Sequence, residues 1–228
     1  MSLPPRASIR AVLLDLDGTL IDTAPDIAAS ANRMLAQLGR DALAEARVVD
    51  FIGQGIANLV ARVLAETGGE TPAISLERSL ALFEASYLAH VADRSVPYPG
   101  VVEGLERFRA AGIAMACVTN KASRFTVALL EATRLRAYFG AVVSGDDVAR
   151  KKPEPDALLA AAAALGVAAH EAWVIGDSAN DVKAARAAGC PVAVVPYGYR
   201  EGLAVEALGA DAVVSGVDAA ASWITMGA

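Results

Sequence analysis

From residue 97 onward, short apolar runs alternate with amphipathic stretches. The runs at 113–118, 141–144, 172–176, 191–195 and 211–214 are too short for buried helices and carry Val, Ile and Ala, which predicts strands. Between them the apolar positions take helical spacing over 100–111, 122–134, 154–165, 179–188 and 217–225, and more weakly over 201–208. Alternation of this kind predicts a parallel sheet with helices on both faces.

Residues 11–16 read as one further buried strand, but the chain then changes character. Thr23-Ala24-Pro25-Asp26 reads as a helix start with proline at an early position. That helix continues through Ile27, Ala31, Met34, Leu35 and Leu38, and Gly39 stops it. Further helical patterns cover 42–51, 55–67 and 75–93, and no strand is predicted between 22 and 95. Val96-Pro97-Tyr98-Pro99-Gly100 reads as a linker and helix start. The expected fold is α/β: a Rossmann-like parallel sheet core made of 1–21 and 97–228, with a small all-helical cap, 22–96, inserted after the first strand.

Composition narrows the function. The 228 residues are 55% hydrophobic, enough for a substantial core, and the formal net charge is −6. That acidity argues against a nucleic-acid partner, since backbone phosphates demand a basic surface. No apolar run approaches the roughly 18 residues of a membrane span. Residues 1–10 lack the apolar centre of a secretory signal, so the expected location is the cytoplasm, with no membrane partner. The two cysteines, Cys117 and Cys190, lie in apolar runs and read as buried, inert thiols. His90 and His170 have no motif around them and read as surface or helix-end residues, which argues against a His-ligated zinc site.

Chemistry enters at the ends of the predicted strands. In Ala11-Val12-Leu13-Leu14-Asp15-Leu16-Asp17-Gly18-Thr19-Leu20 an apolar run ends in two carboxylates. Like charges that close raise each other's pKa or require a cation between them. Three more polar clusters follow core strands: Thr119-Asn120, Lys152-Pro153, and Gly176-Asp177-Ser178-Ala179-Asn180-Asp181. In a parallel sheet all carboxyl ends lie on one edge, where open α/β sheets bind ligands, so the four clusters should converge.

Taken singly, each cluster has a bland explanation: a turn, an N-cap for helix 122–134, a solvated loop, a strand exit. Together, in this order, they describe a phosphate-ester site. Asp15 and Asp177 suit a hard cation such as Mg²⁺, with the Asp17 main-chain carbonyl as a further ligand. Thr119 and the Asn120 amide can donate to phosphoryl oxygens, and Lys152 supplies a point charge that Asp181 can hold in place. Ile52-Gly53-Gln54-Gly55 reads as a turn between two cap helices that points at the core; it is no dinucleotide fingerprint. No Walker-type run or G-x-S-x-G elbow occurs.

At these residues the chain resembles the haloacid dehalogenase superfamily of phosphatases. Its four motifs are matched by Asp15-Leu16-Asp17-Gly18-Thr19, by Thr119, by Lys152, and by Gly176-Asp177 with Asp181. Additional runs resemble its phosphoglycolate phosphatase subgroup: Ile21-Asp22-Thr23-Ala24-Pro25-Asp26, Thr119-Asn120-Lys121, Ser144-Gly145-Asp146-Asp147-Val148, Lys151-Lys152-Pro153 and Tyr197-Gly198-Tyr199. Leu16 and Glu154 depart from common family choices without touching the chemistry. The resemblance implies that Asp15 is the nucleophile and Asp17 the general acid and base. It further implies that Mg²⁺, bound by Asp15, Asp17 and Asp177, acts with Thr119, Asn120 and Lys152 to neutralise the transferring phosphoryl group. Gly18, Thr19, Ser178 and Asp181 support them, and the helical insertion is a mobile cap.

The implied partner is a small phosphorylated metabolite, with 2-phosphoglycolate the expected substrate, handled by a monomer or homodimer. Alternatives are a sugar-phosphate mutase, a phosphatase for a sugar phosphate, nucleotide or pyrophosphate, or a phospho-acceptor module. Receiver domains of the last kind stop near half this length and have no helical insertion. Asn32, Gln54 and Arg62 are cap residues able to read the leaving group.

Overall fold

The computed structural model describes residues 9–200 and 202–225. The signal-free reading of 1–10 falls outside them up to residue 8, as does residue 201, where the expected helix 201–208 begins. Six parallel strands form the central sheet: β1 (Ala11–Leu14), β4 (Ala114–Val118), β5 (Ala141–Val143), β6 (Ala172–Gly176), β7 (Val192–Val194) and β8 (Ala212–Val213). Their order is β5-β4-β1-β6-β7-β8, so the first strand sits in the middle of the sheet. Register pairs Leu14 with Cys117 on one side and with Ile175 on the other, which brings the carboxyl ends of β1, β4 and β6 level.

Alternate residues face opposite sides, as the period-2 geometry of a strand requires. Val12, Leu14, Met115, Cys117, Trp173 and Ile175 belong to one core, and Ala11, Leu13, Ala116, Val118, Ala172 and Val174 to the other. The second core is covered by α7 (Asp156–Ala164) and α8 (Ala179–Ala188), whose buried alanines Ala157, Ala161, Ala184 and Ala185 permit close approach. The first core holds α5 (Val101–Ala110), α6 (Ser123–Ala132) and α9 (Val217–Thr225). Gly104 lets α5 and α9 touch, because a Cβ there would stand 2.7 Å from the Val217 main chain.

Between β1 and α5 lie four helices: α1 (Ala24–Gln37), α2 (Glu45–Val49), α3 (Ile56–Glu66) and α4 (Leu76–Ala89). Their apolar faces (Met34, Val48, Val63, Phe83) join the first core without a break, and Tyr87 of α4 meets Phe125 of α6 at 5.2 Å between ring centres. The two chain crossings into and out of this helical layer pair as a short antiparallel ribbon, β2 (Ile21–Asp22) with β3 (Val96–Pro97).

Three expectations need correction. Residues 96–97 are a strand of that ribbon, not a plain linker, because the crossings run side by side and satisfy each other's backbone. The helix over 42–51 shrinks to Glu45–Val49; at its amino end the Asn32 side chain clasps both the N–H and the carbonyl of Leu43 at 2.9 Å and holds it out of the helix. In place of the weak helix 201–208, the described part is a 3₁₀ turn, Val205–Leu208, ended by Gly209 at φ +72°. None of the described helices is long and apolar enough to cross a membrane. Both cysteines are buried and free, with burial pushing the Cys190 thiol up to about 11. His90 caps the end of α4, half-buried, with Nδ1 2.7 Å from Asp93.

Candidate active site

Strand ends deliver the site. Asp15 follows β1, Thr119 follows β4, Asp177 follows β6, and all three are buried. Lys152 arrives from the loop after β5 and is also buried. Its Nζ donates to Asp15 Oδ1 at 2.6 Å, Asp181 Oδ1 at 2.7 Å and the Val118 carbonyl at 2.9 Å. All three protons of the ammonium are spent, so its position is fixed.

Asp181 is committed as well. Its Oδ2 accepts from Ser178 Oγ at 2.6 Å, Ser178 N at 3.1 Å and Asp177 N at 3.3 Å, at the amino end of α8. Burial alone would raise its pKa, but Lys152 and these donors carry it below the usual carboxylate range. Gly176 is required here, since a Cβ would stand 2.4 Å from the Asp181 carboxyl carbon.

Asp177 accepts from Thr19 Oγ1 at 3.0 Å and from the Tyr199 main-chain N–H at 2.5 Å. Asp15 Oδ2 accepts no hydrogen bond from the described residues. Burial pushes Asp15 up to about 7, against the lowering pull of Lys152 and with added repulsion from Asp181. Burial and repulsion from Asp15 raise Asp177 well above the ordinary value. Asp15, Asp177 and Asp181 each offer an oxygen within 4.8 Å of the others. Such crowding of buried acids is the environment that a hard, oxygen-seeking divalent cation relieves, so the residues present fit that group.

Asp17 faces elsewhere. Its Oδ1 accepts from Thr23 Oγ1 and from Lys121 Nζ, both at 2.7 Å, which leaves the carboxylate turned from the other acids. Its main-chain carbonyl accepts no hydrogen bond from the described residues. Lys121 is buried, its pKa raised because Asp17 outweighs the cost of burial, and it lies 4.8 Å from the centre of the Tyr87 ring.

The Asn120 side chain differs from expectation. Its amide protons go to the Lys152 carbonyl at 2.9 Å and the Gly53 carbonyl at 3.2 Å, and its Oδ1 accepts from Lys152 N at 2.9 Å. It therefore clamps the lysine loop and the 52–55 turn instead of offering side-chain donors to a ligand; its main-chain N–H donates to none of the described residues. The turn does point at the core, and Gly53 also accepts from Asn180 at 3.4 Å.

A cavity of about 60 Å³ opens onto these groups. Its wall from the helical layer is Ile27, Ile52, Ile56, Leu59 and Tyr87. Asn32 is spent on Leu43 and Arg62 lies 4.4 Å from the centre of the Phe51 ring, while Gln54 lines a neighbouring groove. Lys121, Tyr87 and Tyr199 are site residues for which periodicity gave no role.

A parallel α/β sheet with aspartates and a lysine converging at its carboxyl edge, roofed by helices, defines a class of hydrolases acting at that edge. The chain belongs to the haloacid dehalogenase-like hydrolase family, whose model matches residues 12–195. It is 48% identical over 218 residues to a phosphoglycolate phosphatase of Thiobacillus denitrificans, covering 95% of this chain and 96% of that protein. The phosphoglycolate phosphatase of Escherichia coli is 36% identical over 227 residues, covering 92% and 90%. Among solved structures, a predicted phosphoglycolate phosphatase of Haemophilus somnus superposes with a TM-score of 0.88 at 27% identity, covering 92% of this chain and 96% of that one. CbbY of Rhodobacter sphaeroides, solved in complex with phosphate, gives 0.79 at 28% identity, covering 92% and 95%.

Proposed function

We propose that this hydrolase is a cytoplasmic, Mg²⁺-dependent phosphatase that converts 2-phosphoglycolate to glycolate and phosphate through an aspartyl-phosphate. The observation that carries the reading is Asp15: a buried carboxylate with one oxygen pinned 2.6 Å from Lys152 and the other accepting no hydrogen bond among the described residues. The names of the relatives support the substrate.

Asp15 Oδ2 attacks phosphorus, and the bond to the leaving oxygen breaks. Asp17 gives that oxygen its proton, then takes one from the water that attacks the acyl phosphate and releases inorganic phosphate. Thr119 donates its hydroxyl, and the Asn120 main-chain N–H replaces the side-chain amide as donor to the phosphoryl oxygens. Lys152 holds Asp15 in line and offsets its charge. Asp15, Asp177 and the Asp17 carbonyl would hold Mg²⁺, which when bound neutralises charge between the nucleophile and the phosphoryl oxygens. Residues 22–96 act as the cap that excludes water and selects the leaving group.

A panel of phosphate esters ranked by kcat/KM tests the reading. Mg²⁺-dependent, repeated release of phosphate, fastest from 2-phosphoglycolate, is expected. A single uptake of phosphate without turnover, or an isomerised product, would replace it with a phospho-acceptor or a mutase.

A further inference from the structure

Lys121 is not used by the chemistry above, yet its ammonium is buried inside the site. It makes one hydrogen bond, to Asp17 Oδ1 at 2.7 Å, and rests against the Tyr87 ring. An ammonium has three donors; the Tyr87 side chain is the other group that acts on it, so at least one donor remains for another acceptor. Lys152, by contrast, has three acceptors. Lys121 and Lys152 are the cations lining the cavity among the described residues. The side chains on the helical side are Ile27, Ile52, Ile56 and Leu59, with Tyr87 the one that carries a polar atom.

Position ties Lys121 to the leaving group. On the proposed reading, which this inference rests on, the leaving oxygen lies beside Asp17, and Lys121 is bonded to that same carboxylate. A neutral leaving group offers the unspent donor capacity of Lys121 at most a hydroxyl, whereas an anionic one accepts a stronger, charge-assisted hydrogen bond, and burial strengthens it further. We infer that Lys121 is the specificity-determining residue that receives a carboxylate on the leaving group, so that the substrate class is phosphate monoesters of short hydroxy acids.

The test compares 2-phosphoglycolate with 2-hydroxyethyl phosphate, a near-isostere that lacks the carboxylate. Wild-type protein should favour the carboxylate by roughly 10²-fold or more in kcat/KM, the scale seen when a buried polar site loses its partner. Lys121→Met should cut the rate on 2-phosphoglycolate far more than that on 2-hydroxyethyl phosphate, collapsing the ratio. Lys121→Arg, which keeps the charge, should retain most of it. Equal losses on both esters would mean that Lys121 acts through Asp17 alone and would overturn the inference. So would a wild-type ratio near one, which needs no variant to fold. Absence of phosphate release from every ester overturns the phosphatase reading itself, whereas release from both at equal kcat/KM overturns only the role of Lys121.

Discussion

Tyr199 binds Asp177 through its main-chain N–H at 2.5 Å, and its phenol oxygen lies at the entrance to the helical layer. There it accepts from the N–H groups of Thr23 and Ala24 at 2.8 and 2.9 Å and donates to Asp22 at 2.7 Å. Thr23 stands at the N-cap of α1, but its own hydroxyl is taken by Asp17, so a tyrosine distant in sequence caps the helix instead. One residue thus links an acid of the site to the start of the helical layer.

The two ends of Tyr199 can be separated. Tyr199→Phe keeps the main-chain bond to Asp177 but strands two buried N–H groups at the start of α1. Stability should fall by about 1–3 kcal/mol, the cost of leaving buried donors unsatisfied. Denaturant melts would measure it, and Mg²⁺ affinity should stay within a few-fold of wild type. A large loss of Mg²⁺ affinity with unchanged stability would contradict this division of labour.

Acid crowding makes a pH prediction. Burial raises Asp15 to about 7 and raises Asp177 above its ordinary value. A carboxyl whose folded pKa is raised contributes stability that is complete below its unfolded pKa and is lost as pH rises through the folded pKa. Asp15 should therefore cost the ion-free protein stability between about pH 4 and pH 7, and Asp177 adds a loss of the same sign as pH rises. The depressed Asp181 has the opposite sign but acts below its unfolded pKa, outside this window. Mg²⁺ must displace the protons, so the rise in Tm that it produces should be small at pH 5.5 and larger at pH 8. A rise independent of pH would show that Asp15 and Asp177 do not share the ion.

Gly198 reports on the same acid from another side. A Cβ there would stand 2.2 Å from Asp177 Oδ2 and 2.3 Å from its Cβ. Gly198→Ala should therefore push Asp177 aside and raise the Mg²⁺ concentration needed for half-maximal activity, roughly tenfold or more, the usual scale for disturbing the surroundings of a ligand. Titrating activity against Mg²⁺ measures it. An unchanged requirement would remove Asp177 from the ion site.

Sequence pattern was sufficient where one local force dominates. Ala172–Gly176, Ala179–Ala188 and Val217–Thr225 match their predicted bounds because apolar content and capping agree there. It failed where distant groups decide. The ribbon of Ile21–Asp22 with Val96–Pro97 is two residues long on each side and carries no periodicity. The end of the 42–51 pattern is set by Asn32, eleven positions from Leu43. Asp15, Thr119 and Asp177 were legible because each directly follows an apolar run, and Lys152 and Asp181 because each lies in the polar segment behind one. Lys121 was hidden because a lysine beside a helix start looks like a solvated residue, and only tertiary packing buries it against Asp17 and Tyr87. The Asn120 clamp is equally a product of packing, since its partners Gly53 and Lys152 come from two other loops.

Replacing the proposed nucleophile tests the account most directly. Asp15→Asn is nearly isosteric, keeps an oxygen for Lys152 and should leave the thermal midpoint of the ion-free protein unchanged or higher, because a buried charge is gone. With 2-phosphoglycolate and Mg²⁺ it should release no phosphate above background, and acid quench of the wild type in turnover should trap phosphate on the Asp15 peptide alone. Phosphate release by the folded variant at near wild-type rate would contradict the mechanism.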